Sequence, residues 1–253
     1  QLVAPGQENA SIICVGSTNS MAAEKNSVVY DTSKGAVLML VKSLAVTLAD
    51  RSPAIPIGQR GRARQYLAFD HSVLGDHRRS LQWALGAIDQ YRRADTIPAV
   101  QWAESYTAAG AACWHLGRIR EAEAWYLQAR DVLGDAQDIA SRERLVSVYG
   151  NLGVLWQNAG DPTRARNYYQ ESLHHSDAIV ATTQDPFTKD QAVVYRSRTY
   201  LNMATVYFQV GDVGRARDLL RLAWNDRSAV LEERYAKRLH AGVARQRTPS
   251  LGS

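Results

Sequence analysis

YGNLGVLWQNAGDPTRARNYYQES, Tyr149–Ser172, decides the fold. Tyr149, Leu152, Gly153 and Trp156 fall at i, i+3, i+4 and i+7, which is one face of a helix. Gly160-Asp161 interrupts the pattern as a turn, and Ala165, Tyr169 and Ser172 resume it on a second helix. The stretch therefore predicts a helical hairpin. The chain writes it again on both sides. An earlier copy holds Tyr106, Gly110, Cys113, Gly117, Ala122, Tyr126 and Ala129, and a later one holds Tyr200, Met203, Ala204, Tyr207, Gly211, Ala216, Leu220 and Ala223. A poorer first copy has Leu67, Ala68, His71, Gly75, Ser80, Ala84 and Ala87. Gly75, Gly117, Gly160 and Gly211 each stand five residues before Ala or Ser, so residues 58–247 read as one unit used repeatedly. Repetition at this interval predicts a solenoid, whose units bury a core only against their neighbours and leave a long concave face free to bind.

The expected fold is mainly α, an antiparallel helical-hairpin solenoid. Small residues at Gly110, Gly153 and Ala204 should let paired helices approach, large aromatics should fill the space between hairpins, and the turn glycines should accept a left-handed backbone. This pattern resembles the tetratricopeptide repeat family. Family repeats are about 34 residues long, whereas the turn glycines here are 42, 43 and 51 residues apart. The longer period is similar to the extended-helix variants of kinesin light chains and bacterial peptide-sensing regulators. Four hairpins are expected over 58–226, with the last interval lengthened by a loop around Thr182 to Asp190, where Asp185-Pro186 should break a helix. Residues 227–247, with Val230, Leu231, Tyr235 and Leu239 among many charges, read as a C-terminal capping helix, and 248–253 as a disordered tail.

The concave face should be lined by the first helix of each hairpin, at positions offset from the packing residues. That register selects Tyr66, Phe69, Trp114, His115, Asn151, Gln157, Asn158, Arg198, Asn202, Phe208 and Gln209. Asn151 and Asn202 stand two residues after Tyr149 and Tyr200, where the resemblance implies an asparagine that hydrogen-bonds the backbone of a bound peptide. An amide both donates and accepts, so such a ladder can hold an extended chain without dictating its side chains. His174-His175 is no metal pair, because adjacent helical residues point about 100° apart, and a favourable interaction with a helix C-terminus is expected instead.

Composition divides the chain near Asp50. Residues 1–50 contain three lysines and no arginine, while 51–253 contain two lysines, 25 arginines and all six tryptophans. Within the first segment, ASIICVGS (Ala10–Ser17) predicts a buried strand and Tyr30–Ala49 a helix, which makes a short α/β strand-helix fragment. Tyr30-Asp31-Thr32-Ser33-Lys34, with Ser17 thirteen residues before the tyrosine, resembles the active-site segment of the short-chain dehydrogenase/reductase family. The resemblance implies hydride transfer with NAD(P): Tyr30 as general acid/base, Ser17 orienting the substrate oxygen, and Lys34 lowering the tyrosine pKa and binding the nicotinamide ribose. No glycine-rich turn for the pyrophosphate accompanies it, and Pro53 and Pro56 in the 51–57 junction make a poor central strand. The segment thus reads as a remnant or fused fragment that could cap the first hairpin.

The expected function is a non-catalytic scaffold binding a peptide or protein segment, with no cofactor and no metal. The competing reading is an NAD(P)-dependent oxidoreductase joined to a repeat domain. A net charge of +5 is spread without a dense basic block, and no helix-turn-helix is evident, so no direct nucleic-acid partner is expected. The longest apolar run, Ala36 to Ala49, is interrupted by Lys42 and is shorter than the roughly 18 to 20 residues of a membrane span. Two distant cysteines, Cys14 and Cys113, and the absence of a secretory pattern suggest a cytoplasmic setting, bacterial by the same resemblance, and a homo-oligomer is compatible with it. Gln1 rather than Met opens the chain, which leaves upstream sequence open.

Overall fold

A computed structural model describes residues 55–247, with side chains as far as Val230. The segment carrying Ser17, Tyr30 and Lys34, with its expected strand and helix, lies outside the described residues, as does the tail 248–253. The described residues form eight α-helices and no strand: α1 Ile57–Val73, α2 His77–Arg92, α3 Ala99–His115, α4 Ile119–Leu133, α5 Ile139–Asn158, α6 Pro162–Thr182, α7 Pro186–Gln209 and α8 Val213–Arg247. They fall into two compact units, divided between Thr96 and Ile97.

The turns explain the hairpins. Gly75, Gly117, Gly160 and Gly211 all have φ between 75° and 83°, a left-handed backbone that a side chain would strain. After three of them comes an aspartate whose carboxylate caps the next helix, accepting from the N–H of Arg79, Arg164 or Arg215 at 3.1, 2.9 and 3.1 Å. The same arginines return an ion pair to Asp76, Asp161 and Asp212. At the second turn the charges are exchanged: Arg118 holds the cap position and its Nε donates to Glu121 at 2.7 Å.

In the first unit α1 packs on α2. Ser80 Oγ donates to the Ala68 carbonyl at 2.8 Å, and Gly61 leaves room for the Tyr91 ring, whose hydroxyl donates to Gln65 at 2.9 Å. In the second unit α3/α4, α5/α6 and α7/α8 are successive hairpins, each packed on the next. Gly110 and Gly153 serve aromatic rings rather than a bare helix approach. A Cβ on Gly153 would lie 2.4 Å from the Tyr169 ring, and one on Gly110 would lie 2.7 Å from Tyr126. Both tyrosines are fully buried, and burial holds their hydroxyls neutral well above the usual tyrosine range. Tyr169 joins Ala165, Met203 and Val206 in a core that spans two hairpins.

Three expectations change. The break expected at Asp185-Pro186 is present but short: α6 ends at Thr182, residues 183–185 lie outside any helix, Asp185 caps α7 through the Thr188 N–H at 2.9 Å, and Pro186 occupies the first helical turn. Proline is accepted there because that N–H has no helical partner to lose. The long interval is therefore spent on longer helices, 21 residues in α6 and 24 in α7. Residues 227–247 are not a separate capping helix but continue α8 without a break. Leu220, placed among the packing residues of its hairpin by the sequence pattern, is exposed.

Candidate binding groove

Within the second unit α3 touches α5 and α5 touches α7, whereas α4 and α6, and α6 and α8, make no such contact. The first helices thus form the closer-packed inner layer and the second helices splay on the outside. This geometry fixes which residues can line a concave face.

Asn151 and Asn202 lie on that layer, on α5 and α7. Each immediately precedes a pair locked in the core, Leu152 with Gly153 and Met203 with Ala204, so its backbone has little freedom. Both are half-buried, and neither side-chain amide has a hydrogen-bond partner among the described residues. Arg198 on α7 is exposed, lies over the Tyr195 ring at 5.4 Å and has no carboxylate partner among the described residues. Between α3 and α5 the cation is matched, Arg144 Nε standing 3.4 Å from Glu104.

The other expected groove residues divide. Gln157 Oε1 accepts from the Tyr169 hydroxyl at 2.8 Å, which ties this side chain to the core. Gln157 and Gln209 line one cleft of about 310 Å³ with Gly160, Pro162 and Val210, at the turn ends of the last two hairpins. Asn158 donates to the Val154 carbonyl of its own helix at 2.8 Å, which spends its amide locally. Trp114 and His115 pack on each other with ring centroids 4.5 Å apart. Phe208 is exposed at the end of α7. Tyr66 and Phe69 are exposed on α1, in the first unit, with Arg62 Nε donating to the Tyr66 hydroxyl at 3.0 Å.

Sequence reasoning missed Pro162 and Val210 as walls of the cleft, and Tyr169 as the anchor of Gln157. Pro162 directly follows the Gly160-Asp161 turn, a signal that was present. The Tyr169 spacing marks burial alone and says nothing of where its hydroxyl ends. Near the same turns, aromatic rings four residues before the glycine are covered by arginines: Arg164 lies 4.2 Å from the Trp156 centroid, and Arg166 and Arg215 lie 5.4 and 5.5 Å from that of Tyr207. Trp156 Nε1 also donates to Glu123 at 3.1 Å.

The histidine pair is not at a helix end. His174 and His175 sit in the interior of α6, their rings 5.4 Å apart and nearly perpendicular. His175 stacks on Tyr149 at 5.6 Å and 9°, and its Nδ1 is buried without a hydrogen bond. Burial first, then the charges of His174 and Arg142, push its pKa down to about 4. The described residues contain no group of three side chains placed to hold a metal ion, and no helix long and apolar enough to cross a membrane.

Tetratricopeptide repeat models match residues 103–128, 145–174 and 197–221, which are the three hairpins of the second unit. The chain carries tetratricopeptide repeats. All three matches lie within the hairpin region, and none falls on the Ser17–Lys34 segment. No curated protein matches the chain. Among solved structures, MamA is 13% identical, with 88% of this chain aligned to 99% of that one at a TM-score of 0.50, a likeness of fold. BtubC (BKLC) from P. vanneervenii is 17% identical over 75% of this chain and 89% of that chain, with a TM-score of 0.45. A Rap protein complexed with competence and sporulation factor is 13% identical over 78% of this chain and 59% of its own, also at 0.45.

Proposed function

We propose that the inner layer of α3, α5 and α7 binds an extended peptide or protein segment and performs no chemistry of its own. The observation that carries this is the pair Asn151 and Asn202: equivalent positions on neighbouring repeats, backbones pinned by the core, and amides without hydrogen-bond partners among the described residues. A half-buried amide without a protein partner is left to water, and a peptide unit can replace that water with both a donor and an acceptor. Arg198 on α7, a cation with no carboxylate partner among the described residues, favours a ligand with an acidic group near α7. Gln157 and Gln209 extend the polar lining toward the turn-end cleft, and Phe208 offers an apolar contact beside it. No cofactor or metal is needed for this function.

The test starts from a peptide selected on the purified chain from a displayed library of random, unstructured sequences. Its affinity is then measured by calorimetry for the parent and for Asn151→Ala/Asn202→Ala. Each lost backbone hydrogen bond costs about 0.5 to 1.5 kcal/mol, so the pair should weaken binding by roughly 5- to 150-fold. A variant with unchanged helical circular dichroism that binds as tightly as the parent removes the assignment.

A further inference from the structure

The inner layer repeats in rows that run across the helices. Thirteen residues before the turn glycine stand Glu104, Ser147 and Arg198, on α3, α5 and α7 in turn. Nine before it stand Ala108, Asn151 and Asn202, and six before it Ala111, Val154 and Thr205. Spacings of four and seven residues put the three positions of each helix on one face. All of them are half-buried or exposed, while the residue after each middle one, Ala109, Leu152 or Met203, is buried.

The rows change in character from one helix to the next. In the first, Glu104 is matched by Arg144, and Ser147 Oγ donates to the Glu143 carbonyl of its own helix at 3.3 Å. Arg198 lies only over the Tyr195 ring and has no carboxylate partner among the described residues. In the second row the amide is present on α5 and α7, but on α3 its place is taken by Ala108. Ala111, one turn further on, and Val154 of the same row on α5 add no polar side-chain atom. The layer is thus small and apolar around Ala108, amide-bearing on α5 and α7, and cationic at Arg198.

We propose, on the basis of the peptide-binding role of this layer, that its ligand is selected by two side chains. A bulky apolar residue sits on Ala108, Ala111 and Val154, an acidic residue meets Arg198, and the backbone between them lies on Asn151 and Asn202. The amides hold any sequence alike, whereas the two end contacts give a preference and a direction across the layer. Packed helices lie about 8 to 10 Å apart, so α3 to α7 spans about 16 to 20 Å. An extended chain covers that distance in about five or six residues at about 3.3 Å each. Burial of the apolar side chain drives the contact at α3, and the charge-assisted pair fixes the one at α7.

Selection on the purified chain from a displayed random library tests this, each sequence being flanked by glycine-serine linkers so that no chain terminus is presented. The selected sequences are expected to share a bulky apolar and an acidic residue about five or six positions apart. In calorimetry with one such peptide, Arg198→Glu is expected to weaken binding about tenfold, and exchanging the peptide's acidic residue for lysine to restore it to within about threefold. Ala108→Gln is expected to weaken binding about tenfold, but to matter little for a peptide whose apolar residue is cut back to alanine. Unchanged helical circular dichroism shows that each variant is folded. Selected sequences without this pair, or a charge exchange that fails to restore the Arg198→Glu loss, overturn the proposal; a loss on Asn151→Ala/Asn202→Ala in the same peptides would leave the amide ladder standing without it. Peptides that obey the charge exchange yet ignore Asn151→Ala/Asn202→Ala refute the ladder and leave the two end contacts.

Discussion

Gly153 and Gly150 stand one helical turn apart on α5, and alanine should act oppositely at the two. Replacing glycine by alanine inside a helix is worth about 1 kcal/mol, since alanine loses less backbone freedom. At Gly150 an added Cβ meets only Ser172 Oγ at 3.9 Å, an ordinary contact, so Gly150→Ala should stabilise the chain by about 0.5 to 1 kcal/mol. At Gly153 the Cβ would stand 2.4, 2.5 and 2.8 Å from Cε1, Cδ1 and Cζ of Tyr169. That ring cannot swing aside cheaply: it is fully buried against Ala165, Met203 and Val206, and its hydroxyl is held by Gln157. Overpacking of this kind costs about 1 to 3 kcal/mol, and a displaced hydroxyl forfeits about 0.5 to 1.5 kcal/mol more. After subtracting the helix gain, Gly153→Ala should destabilise by about 1 to 3 kcal/mol. Urea unfolding followed by circular dichroism reads both, and unchanged slopes would confirm that the midpoint shift reports stability. If Gly153→Ala matched or exceeded the stability of Gly150→Ala, the ring-against-glycine packing at the centre of the hairpin would be refuted.

Three further outcomes follow from single contacts. Arg196 donates to both oxygens of Asp226 at 2.7 and 2.8 Å and to Asp177 at 2.9 Å, joining α6, α7 and α8, so Arg196→Leu should destabilise by about 1 to 3 kcal/mol in urea unfolding. The mostly buried Asp226 would lose its counter-ion, and Arg196→Leu/Asp226→Leu should recover part of that loss. His175 is favoured neutral in the fold, its pKa depressed from 6.5 to about 4. Its stabilisation is therefore complete above pH 6.5 and declines as the pH falls toward 4, and His175→Phe should flatten the urea midpoint across that window. Tyr169→Phe should cost about 0.5 to 1.5 kcal/mol in the same assay and free the Gln157 amide, seen as a shifted side-chain resonance in nuclear magnetic resonance spectra.

The turns and the hairpin cores were legible in the sequence because both rest on local rules. A positive-φ glycine followed by a capping aspartate needs no tertiary information, and the Ala and Ser five residues later are buried wherever the hairpin closes. Gly153 was also readable as a close approach, although only the structure shows that a tyrosine ring fills the space. The exposure of Leu220 was not legible, because the periodic pattern marks a position equivalent to Tyr126 and Tyr169 without saying what packs over it. Asp185-Pro186 was readable as the break between two helices, but not its shortness: a proline begins a helix when preceded by a cap, and Asp185 supplies that cap. The histidines were misplaced because the end of α6 is set by Thr183 and Asp185, well past where the shorter repeats stop. Asn151 and Asn202 could be placed on first helices from register alone, but the lack of a partner for their amides among the described residues could not. Hydrogen bonds such as Asn158 to its own helix are decided by rotamers, which spacing does not encode.

The most direct test of the groove is hydrogen exchange of the chain with and without a library-selected peptide. Binding along the inner layer predicts new protection on α3, α5 and α7, strongest around Asn151 and Asn202, with α4 and α6 unchanged. Protection confined to α4, α6 and the outer face of α8 would contradict it.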